Sequence, residues 1–242
     1  MRRDIHSWHS PRLNKPMEIA VYGHYGFALL MFPTAAADYL EYERFHLMDA
    51  LVEFIDPGRV KVFSINSINN ESWLNDHVAP PDRARRHQQY NEYVVDEVVP
   101  FVRSHCSQET PIITAGASFG ALHAANMLFR RPDIFDGTIA MSGAYDLKTY
   151  SRGYYDDNCY FNSPVDYLPG LTDGYLEALR SKRHIHILSG QGDYEAPEYS
   201  IRLAQVLAAK GIPHQLDLWG HDVPHDWPTW IAMLPHVLRT QF

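Results

Sequence analysis

An apolar run that enters a Gly-x-Ser-x-Gly pentapeptide constrains the fold of this chain more than any other stretch. Residues 112–120 read Ile-Ile-Thr-Ala-Gly-Ala-Ser-Phe-Gly, and a helix-compatible run covers residues 119–130. This order predicts a buried β-strand, a tight turn and a helix. Such a turn strains its central residue, and Gly116 and Gly120 leave room for the strand and the helix to approach each other. We therefore expect Ser118 at the apex, with its hydroxyl exposed.

Strands and helices are predicted to alternate along the rest of the chain. The pattern indicates an α/β fold with a mostly parallel, doubly wound sheet and helices on both faces. Besides the strand that begins at Ile112, strands are predicted over residues 17–22, 27–32, 60–65, 138–141, 184–188 and 214–218. Helices are predicted over residues 41–54, 82–105, 119–130, 197–210 and 227–240. Residues 1–16 are expected to form an edge hairpin or an extended arm.

Residues 147–180 interrupt this alternation. The segment is rich in Tyr, Asp, Pro and Gly, and it is too aromatic for a disordered linker. We interpret it as a short, structured cap-like insertion over a site, since such excursions commonly carry function. The whole chain, residues 1–242, is then expected to form a single domain.

Charge and cysteine content narrow the classes of partner. The formal net charge is −8 and the basic residues are scattered, so a nucleic-acid partner is not expected. No apolar run approaches the ~18–20 residues of a membrane span, and the N-terminus lacks the apolar core of a signal peptide. Cys106 and Cys159 have no metal or redox spacing and indicate free thiols in a reducing compartment. We expect a cytoplasmic protein without a membrane partner, and a homo-oligomer is compatible with the sequence.

Ser118 requires two further side chains before its hydroxyl can act as a nucleophile. A neighbouring base, normally His, must take the proton, and an acid must orient that base. When serine lies at such a strand–turn–helix element, the acid follows it in sequence and the histidine comes last. Asp193 is our candidate acid, because its Gly-rich loop, residues 189–193, follows a predicted strand. Asp193 could instead be a helix N-cap or turn residue, and Glu195 and Asp146 are alternatives.

The base is expected in the loop after the last strand, where two histidines occur. His225 is preferred because it directly precedes the final predicted helix, and His221 remains a rival. These histidines are four residues apart, a spacing that serves as a metal face only on a helix. Pro224 and Pro228 indicate a loop instead. We therefore predict no required metal, and no cofactor is expected.

A hydrolytic serine also needs donors for the oxyanion that forms on the attacked carbonyl group. The backbone N–H of Phe119, just after the serine, is expected to be one donor. The second should come from the loop that follows the strand at residues 27–32. Ala35 is preferred for this role, and Ala36 and Thr34 are alternatives.

Five segments appear in a characteristic order. They are Leu-Met-Phe-Pro-Thr at 30–34, Gly-Ala-Ser-Phe-Gly at 116–120, Met-Ser-Gly-Ala at 141–144, Asn-Ser-Pro at 162–164 and His-Asp-Trp-Pro-Thr-Trp at 225–230. Together they resemble a serine esterase family of the α/β-hydrolase superfamily, which includes enterochelin esterases, feruloyl esterases, S-formylglutathione hydrolases and mycolyltransferases.

This resemblance covers the chain from about residue 17 and implies an α/β-hydrolase fold. It assigns the catalytic serine to Ser118 and the catalytic histidine to His225, and it places the acid at Asp193. The chain departs from the family in its oxyanion loop, where Pro33-Thr34 replaces the usual His-Gly or Asp-Gly.

We therefore predict a carboxylic-ester hydrolase with a Ser-His-Asp triad that acts on a small-molecule ester through an acyl-enzyme. An acyltransferase that uses the same intermediate is an alternative, and a non-catalytic binding protein on this fold is less favoured. Trp73 and Tyr155 are candidate walls of the substrate pocket, although each could equally be a packing residue.

Overall fold

The sheet is the framework that positions every other element. The computed structural model describes residues 1–172 and 174–242, and eight strands in this part of the chain form one sheet. They are β1 (Arg3–Ser10), β2 (Lys15–Tyr22), β3 (Phe27–Phe32), β4 (Val60–Ile65), β5 (Ile112–Ala117), β6 (Gly137–Met141), β7 (His184–Ser189) and β8 (Gln215–Leu218). Their spatial order is β1-β2-β4-β3-β5-β6-β7-β8.

Six strands run parallel to one another, in the order β4, β3, β5, β6, β7 and β8. Strand β2 pairs antiparallel with β4, and β1 pairs antiparallel with β2. The predicted mostly parallel sheet is therefore confirmed. The first 16 residues contribute to an edge hairpin, in which Arg3 pairs with Tyr22 and Ser10 with Lys15. Every residue of β5 is buried, as expected for a central parallel strand covered on both faces.

Helices cover the two faces of the sheet. They are α1 (Glu41–Arg44), α2 (Leu47–Ala50), α3 (Val52–Ile55), α4 (Pro80–Tyr93), α5 (Val99–His105), α6 (Phe119–Arg130), α7 (Lys148–Ser151), α8 (Asp157–Tyr160), α9 (Pro164–Tyr167), α10 (Gly174–Arg180), α11 (Pro197–Ala209) and α12 (Trp227–Gln241). On one face, Leu30 of β3 shares a core with Leu128 of α6. On the other, Leu29 shares a core with Met233 of α12. Successive side chains of a strand thus feed opposite cores.

Two predicted helices are interrupted. The helix expected over residues 41–54 is divided into α1, α2 and α3, because His46 has φ 64° and cannot continue a right-handed helix. The helix expected over residues 82–105 begins at Pro80, and a π-helical segment, Val94–Val98, joins α4 to α5. Pro100 lies in the first turn of α5, where its missing N–H is tolerated.

The insertion, apart from Asp173, which lies outside the described residues, consists of α7 to α10 and a 3₁₀ turn at Leu168–Gly170. Its buried Asn162 accepts hydrogen bonds from Asn91 of α4 (2.5 Å) and from Asn126 and Arg130 of α6 (2.7 and 3.2 Å). These contacts tie the insertion to the helices around the central strand. The division of the chain into one domain with a cap stays a prediction.

None of the helices within residues 1–172 and 174–242 is both long and apolar enough to cross a membrane.

Candidate active site

Ser118 occupies the turn between β5 and α6 in a strained conformation, with φ 55° and ψ −120°. Two glycines make the turn possible. A Cβ on Gly116 would lie 2.3 Å from the Gly120 carbonyl oxygen, and a Cβ on Gly120 would lie 2.3 Å from the Phe32 carbonyl oxygen. Both distances are far below van der Waals contact. The turn therefore brings β5, α6 and the end of β3 together, and Ser118 sits at the carboxyl edge of the sheet.

His225 is the histidine that meets this serine. Its Nε2 lies 3.0 Å from Ser118 Oγ, and its ring packs edge-on against Trp230, with centroids 5.1 Å apart. The side chain of Asp226 accepts the Trp227 N–H at 2.7 Å and caps α12, which fixes the chain directly after His225. His221, in contrast, is exposed. The structure therefore places His225, and not His221, beside Ser118.

The carboxylate beside His225 belongs to Glu195, and the prediction of Asp193 is corrected. Glu195 Oε2 lies 3.3 Å from His225 Nδ1, and the Glu195 side chain is 1% exposed. Asp193 is exposed, and its backbone carbonyl accepts the His225 N–H at 2.9 Å. Asp146 pairs instead with Arg202 at 2.9 Å. Between the exposed Asp193 and the buried Glu195 lies Tyr194, whose φ of 63° turns the loop so that Glu195 faces inward.

Two glycines allow the acid loop and the histidine loop to touch. A Cβ on Gly190 would lie 2.2 Å from the Val223 carbonyl oxygen, and one on Gly192 would lie 2.8 Å from it. The Gly192 N–H donates to that same oxygen at 2.9 Å. This backbone pairing, together with the bond between His225 and Asp193, sets which acidic side chain can reach the imidazole.

Glu195 is held by further donors. Ser142 Oγ donates to Glu195 Oε1 at 2.5 Å, and the Gly190 N–H donates to the same oxygen at 3.2 Å. Trp230 Nε1 in turn donates to Ser142 Oγ at 3.1 Å. Burial opposes ionisation of Glu195, but the hydrogen bonds from His225, Ser142 and Gly190, together with the His225 charge, lower the pKa of this carboxyl from its ordinary 4.5. The acid is therefore ionised beside His225 at neutral pH.

Sequence reasoning did not single out Ser142 and Trp230 as residues that support the acid. Their positions in the sequence were the signal that could have identified them. Ser142 follows β6, the neighbour of the strand that precedes the acid loop, and Trp230 lies within the histidine motif at 225–230. Side chains after adjacent parallel strands meet at one edge of a sheet, so this partnership could have been anticipated.

The predicted oxyanion donors lie at the start of α6 and in the loop after β3, which approach each other closely at Gly120. The N–H groups of Phe119, Ala35 and Ala36 have no acceptor within residues 1–172 and 174–242. Thr34, one alternative donor, is already engaged, because its N–H donates to Glu41 Oε2 at 2.8 Å. The choice between Ala35 and Ala36 as partner of Phe119 stays a prediction.

The two candidate pocket residues have other surroundings. Trp73 is 2% exposed, and its Nε1 donates to His87 Nδ1 at 2.8 Å. A side chain buried so completely cannot form an open pocket wall, so the prediction for Trp73 is corrected to a packing role behind Phe119. Tyr155 is 42% exposed, and its hydroxyl donates to Asp166. A role for Tyr155 in substrate binding stays a prediction.

Within the described ranges, no three His, Cys, Asp or Glu side chains are grouped so that they could hold a metal ion. The arrangement instead provides a hydroxyl, an imidazole and a buried carboxylate in series. Such a series can move a proton from the serine to the imidazole while the carboxylate stabilises the imidazolium.

Comparison with known proteins gives one family and many structural relatives. The family model described as "Putative esterase" matches residues 44–240. A ferulic acid esterase is 20% identical, with a TM-score of 0.74 over 98% of each chain. An S-formylglutathione hydrolase from Agrobacterium tumefaciens is 13% identical, with a TM-score of 0.75 over 98% of this chain and 93% of that one. The S-formylglutathione hydrolase FrmB from Staphylococcus aureus is 15% identical, with a TM-score of 0.69 over 98% and 97%. At these identities the structural likeness shows a shared fold. The comparison with curated proteins finds no match.

Proposed function

The chain belongs to the esterase family whose model spans residues 44–240, and from this premise we propose that it hydrolyses small-molecule carboxylic esters through an acyl-enzyme on Ser118. One observation carries the proposal. Ser118 Oγ, His225 and the buried Glu195 form an unbroken hydrogen-bonded series, with distances of 3.0 and 3.3 Å. The triad proposed here is thus Ser-His-Glu.

The first half-reaction forms the acyl-enzyme. Ser118 Oγ attacks the ester carbonyl carbon while its proton passes to His225 Nε2, and the carbonyl oxygen becomes an oxyanion. The N–H groups of Phe119 and of Ala35 or Ala36 donate to that oxyanion, which typically contributes about 3 kcal/mol per donor to the transition state. The carbon–oxygen bond to the alcohol then breaks, and the alcohol leaves with the proton from His225.

The second half-reaction repeats these steps with water. His225 takes a proton from the water as it attacks the acyl carbon, and the same proton returns to Ser118 when the carboxylic acid leaves. Throughout, Glu195 keeps the Nδ1–H tautomer of His225, so that Nε2 is free to accept a proton. The strained backbone at Ser118 supports its role as nucleophile, because it presents the hydroxyl above the sheet edge.

The decisive test uses Ser118→Ala with a p-nitrophenyl ester and a fluorophosphonate probe. Both hydrolysis and labelling should disappear while the circular-dichroism spectrum remains that of the wild type. Persistent labelling of this variant would remove Ser118 from the mechanism.

His225→Ala should lower kcat by several orders of magnitude, and His221→Ala, four residues away and exposed, should lower it far less. The reverse ranking would reassign the base.

A further inference from the structure

The loop that carries the second oxyanion donor is bound by side chains of residues 67–70. Three successive carbonyl groups of the loop accept hydrogen bonds from this segment. Asn69 Nδ2 donates to Ala35 O at 2.5 Å, Asn70 Nδ2 to Ala36 O at 3.4 Å, and Ser67 Oγ to Ala37 O at 2.9 Å. Asn69 is fully buried, whereas Asn70 is exposed. The bond from Asn69 is therefore the short, water-protected anchor of the loop.

We propose that Asn69 is a positioning residue that holds the Ala35–Ala36 peptide in the orientation required for oxyanion stabilisation, an inference that rests on the proposed esterase function. The C=O and N–H of a trans peptide point in opposite directions, and the chain contains no cis peptide among its described residues. With Ala35 O directed at Asn69, the Ala36 N–H is directed away from it. Rotation of this peptide would exchange the two groups and turn a carbonyl dipole toward the oxyanion.

The loop is anchored on the other side of Ala35 as well. Thr34 donates its N–H to Glu41 at 2.8 Å and its hydroxyl to the same carboxylate at 2.6 Å. Both candidate donors, the N–H groups of Ala35 and Ala36, thus belong to peptides adjacent to a fixed point. Preorganised donors stabilise a developing charge without reorganisation at the moment of reaction.

The orientation of the Asn69 amide follows from the hydrogen-bonding capacity of its neighbours. Ala35 O can only accept, so Asn69 must present Nδ2 to it, and its Oδ1 is left facing His123 Nε2 at 3.0 Å. His123 must therefore carry its proton on Nε2. Burial lowers the pKa of His123 to about 3, so the ring is neutral at neutral pH and donates to Asn69.

The same reasoning extends two side chains further. Trp73 donates to His87 Nδ1, so a neutral His87 carries its proton on Nε2. That Nε2 and His123 Nδ1 are both buried without a partner among the described residues, and the two rings are 4.8 Å apart between centroids. His87 Nε2 carries a proton and needs an acceptor, whereas His123 Nδ1 carries a lone pair and needs a donor. No hydrogen bond joins the two rings, so Trp73 and His87 pack beside His123, and the hydrogen-bonded series that ends at Ala35 begins at His123.

The test compares Asn69→Leu with Asn70→Leu. Leucine keeps the branched outline of asparagine but cannot donate, and the adjacent, exposed Asn70 is the matched control. For Asn69→Leu we expect kcat for a p-nitrophenyl ester to fall about 100-fold, the scale of losing one oxyanion donor, with KM little changed. Asn70→Leu removes only a long, exposed bond of 3.4 Å to Ala36 O and should lower kcat far less. Fluorophosphonate labelling to completion counts the reactive sites in each preparation.

A second pair keeps the proposal testable if Asn69→Leu does not fold. His123→Gln places an amide N–H near the position of His123 Nε2 and should preserve kcat, whereas His123→Leu cannot donate to Asn69 and should lower it. Equal activity of the two His123 variants would overturn the inference.

Two results for Asn69→Leu would also overturn it. One is a kcat close to that of the wild type with all sites labelled. The other is a loss of activity that matches a loss of labelled sites, since kcat per labelled site would then be unchanged. If the wild-type protein itself neither hydrolyses esters nor reacts with the probe, the proposed function fails first. An active wild type with an unaffected Asn69→Leu variant rejects the positioning role alone.

Discussion

His225 Nδ1 lies 3.3 Å from the carboxylate of Glu195, a side chain only 1% exposed to solvent. Because the carboxylate is ionised, it can only accept, and Nδ1 must donate the proton. The other ring nitrogen, Nε2, then carries the lone pair that faces Ser118 Oγ at 3.0 Å. A single buried contact thus determines the tautomer and, in the proposed mechanism, the direction of proton transfer.

Replacement of the acid should separate Glu195 from Asp193. Glu195→Gln preserves size but removes the charge that orients and stabilises the imidazolium, and we expect kcat to fall about 10²- to 10⁴-fold. Asp193→Asn is the control, because only the backbone carbonyl of Asp193 contacts His225. Steady-state kinetics on a p-nitrophenyl ester would measure both. A larger loss in Asp193→Asn would restore Asp193 as the acid.

Buried neutral histidines should make stability depend on pH. Burial lowers the pKa of His123 to about 3 and that of His186 to about 4, from an ordinary 6.5. The unfolded chain therefore binds more protons than the folded protein in this window. The contribution of these two histidines to the unfolding free energy is fully present above pH 6.5 and falls as the pH is lowered toward 3–4.

Urea titrations of the unfolding free energy across that range would measure the decline. His123→Gln cannot bind the proton and should show a shallower decline than the wild type. His221→Gln, which replaces an exposed histidine, should follow the wild type. An unchanged pH dependence in His123→Gln would contradict the prediction.

Asn162 should contribute substantially to stability. Its Oδ1 accepts hydrogen bonds from Asn91, Asn126 and Arg130. In Asn162→Ala, Asn126 Nδ2 loses its acceptor, and Asn91 and Arg130 keep only Gln88 Oε1, at 3.4 and 2.8 Å. We expect a loss of about 2–4 kcal/mol in unfolding free energy. Asn158→Ala, whose side chain makes one 3.3 Å bond to Asp156, should lose less than about 0.5 kcal/mol. Similar losses in the two variants would disprove the special role of Asn162.

The contact between the serine turn and the oxyanion loop can be tested at Gly120. In Gly120→Ala the new Cβ would lie 2.3 Å from Phe32 O and 2.6 Å from Pro33 O, so the loop must move. We expect a loss of about 1–3 kcal/mol in stability from overpacking and a fall in kcat. Gly174→Ala is the control, since no described atom lies within 4 Å of its Cβ position. Wild-type kinetics and thermal stability for Gly120→Ala would exclude the close contact.

Local patterns made much of the fold predictable. Residues 112–117 are small or β-branched and all buried because β5 is covered on both faces, and the glycines at 116 and 120 marked the turn. The predicted helix over residues 41–54 failed because hydrophobic periodicity does not report the left-handed backbone of His46. The sequence left two alternatives open for Trp73, a pocket wall or a packing residue, since an aromatic side chain in a polar loop has the same sequence pattern whether it faces substrate or core.

The sequence by itself determined the serine at its turn, the histidine before the last helix and the alternation of strands and helices, because these depend on residues adjacent in the chain. Only the tertiary structure decided that the carboxylate beside His225 belongs to Glu195. Asp193 and Glu195 are two residues apart in one loop, and which of them faces His225 depends on the positive φ of Tyr194 and on backbone bonds to residues 223–225. Such contacts between distant loops are set by packing and are not encoded in any local pattern.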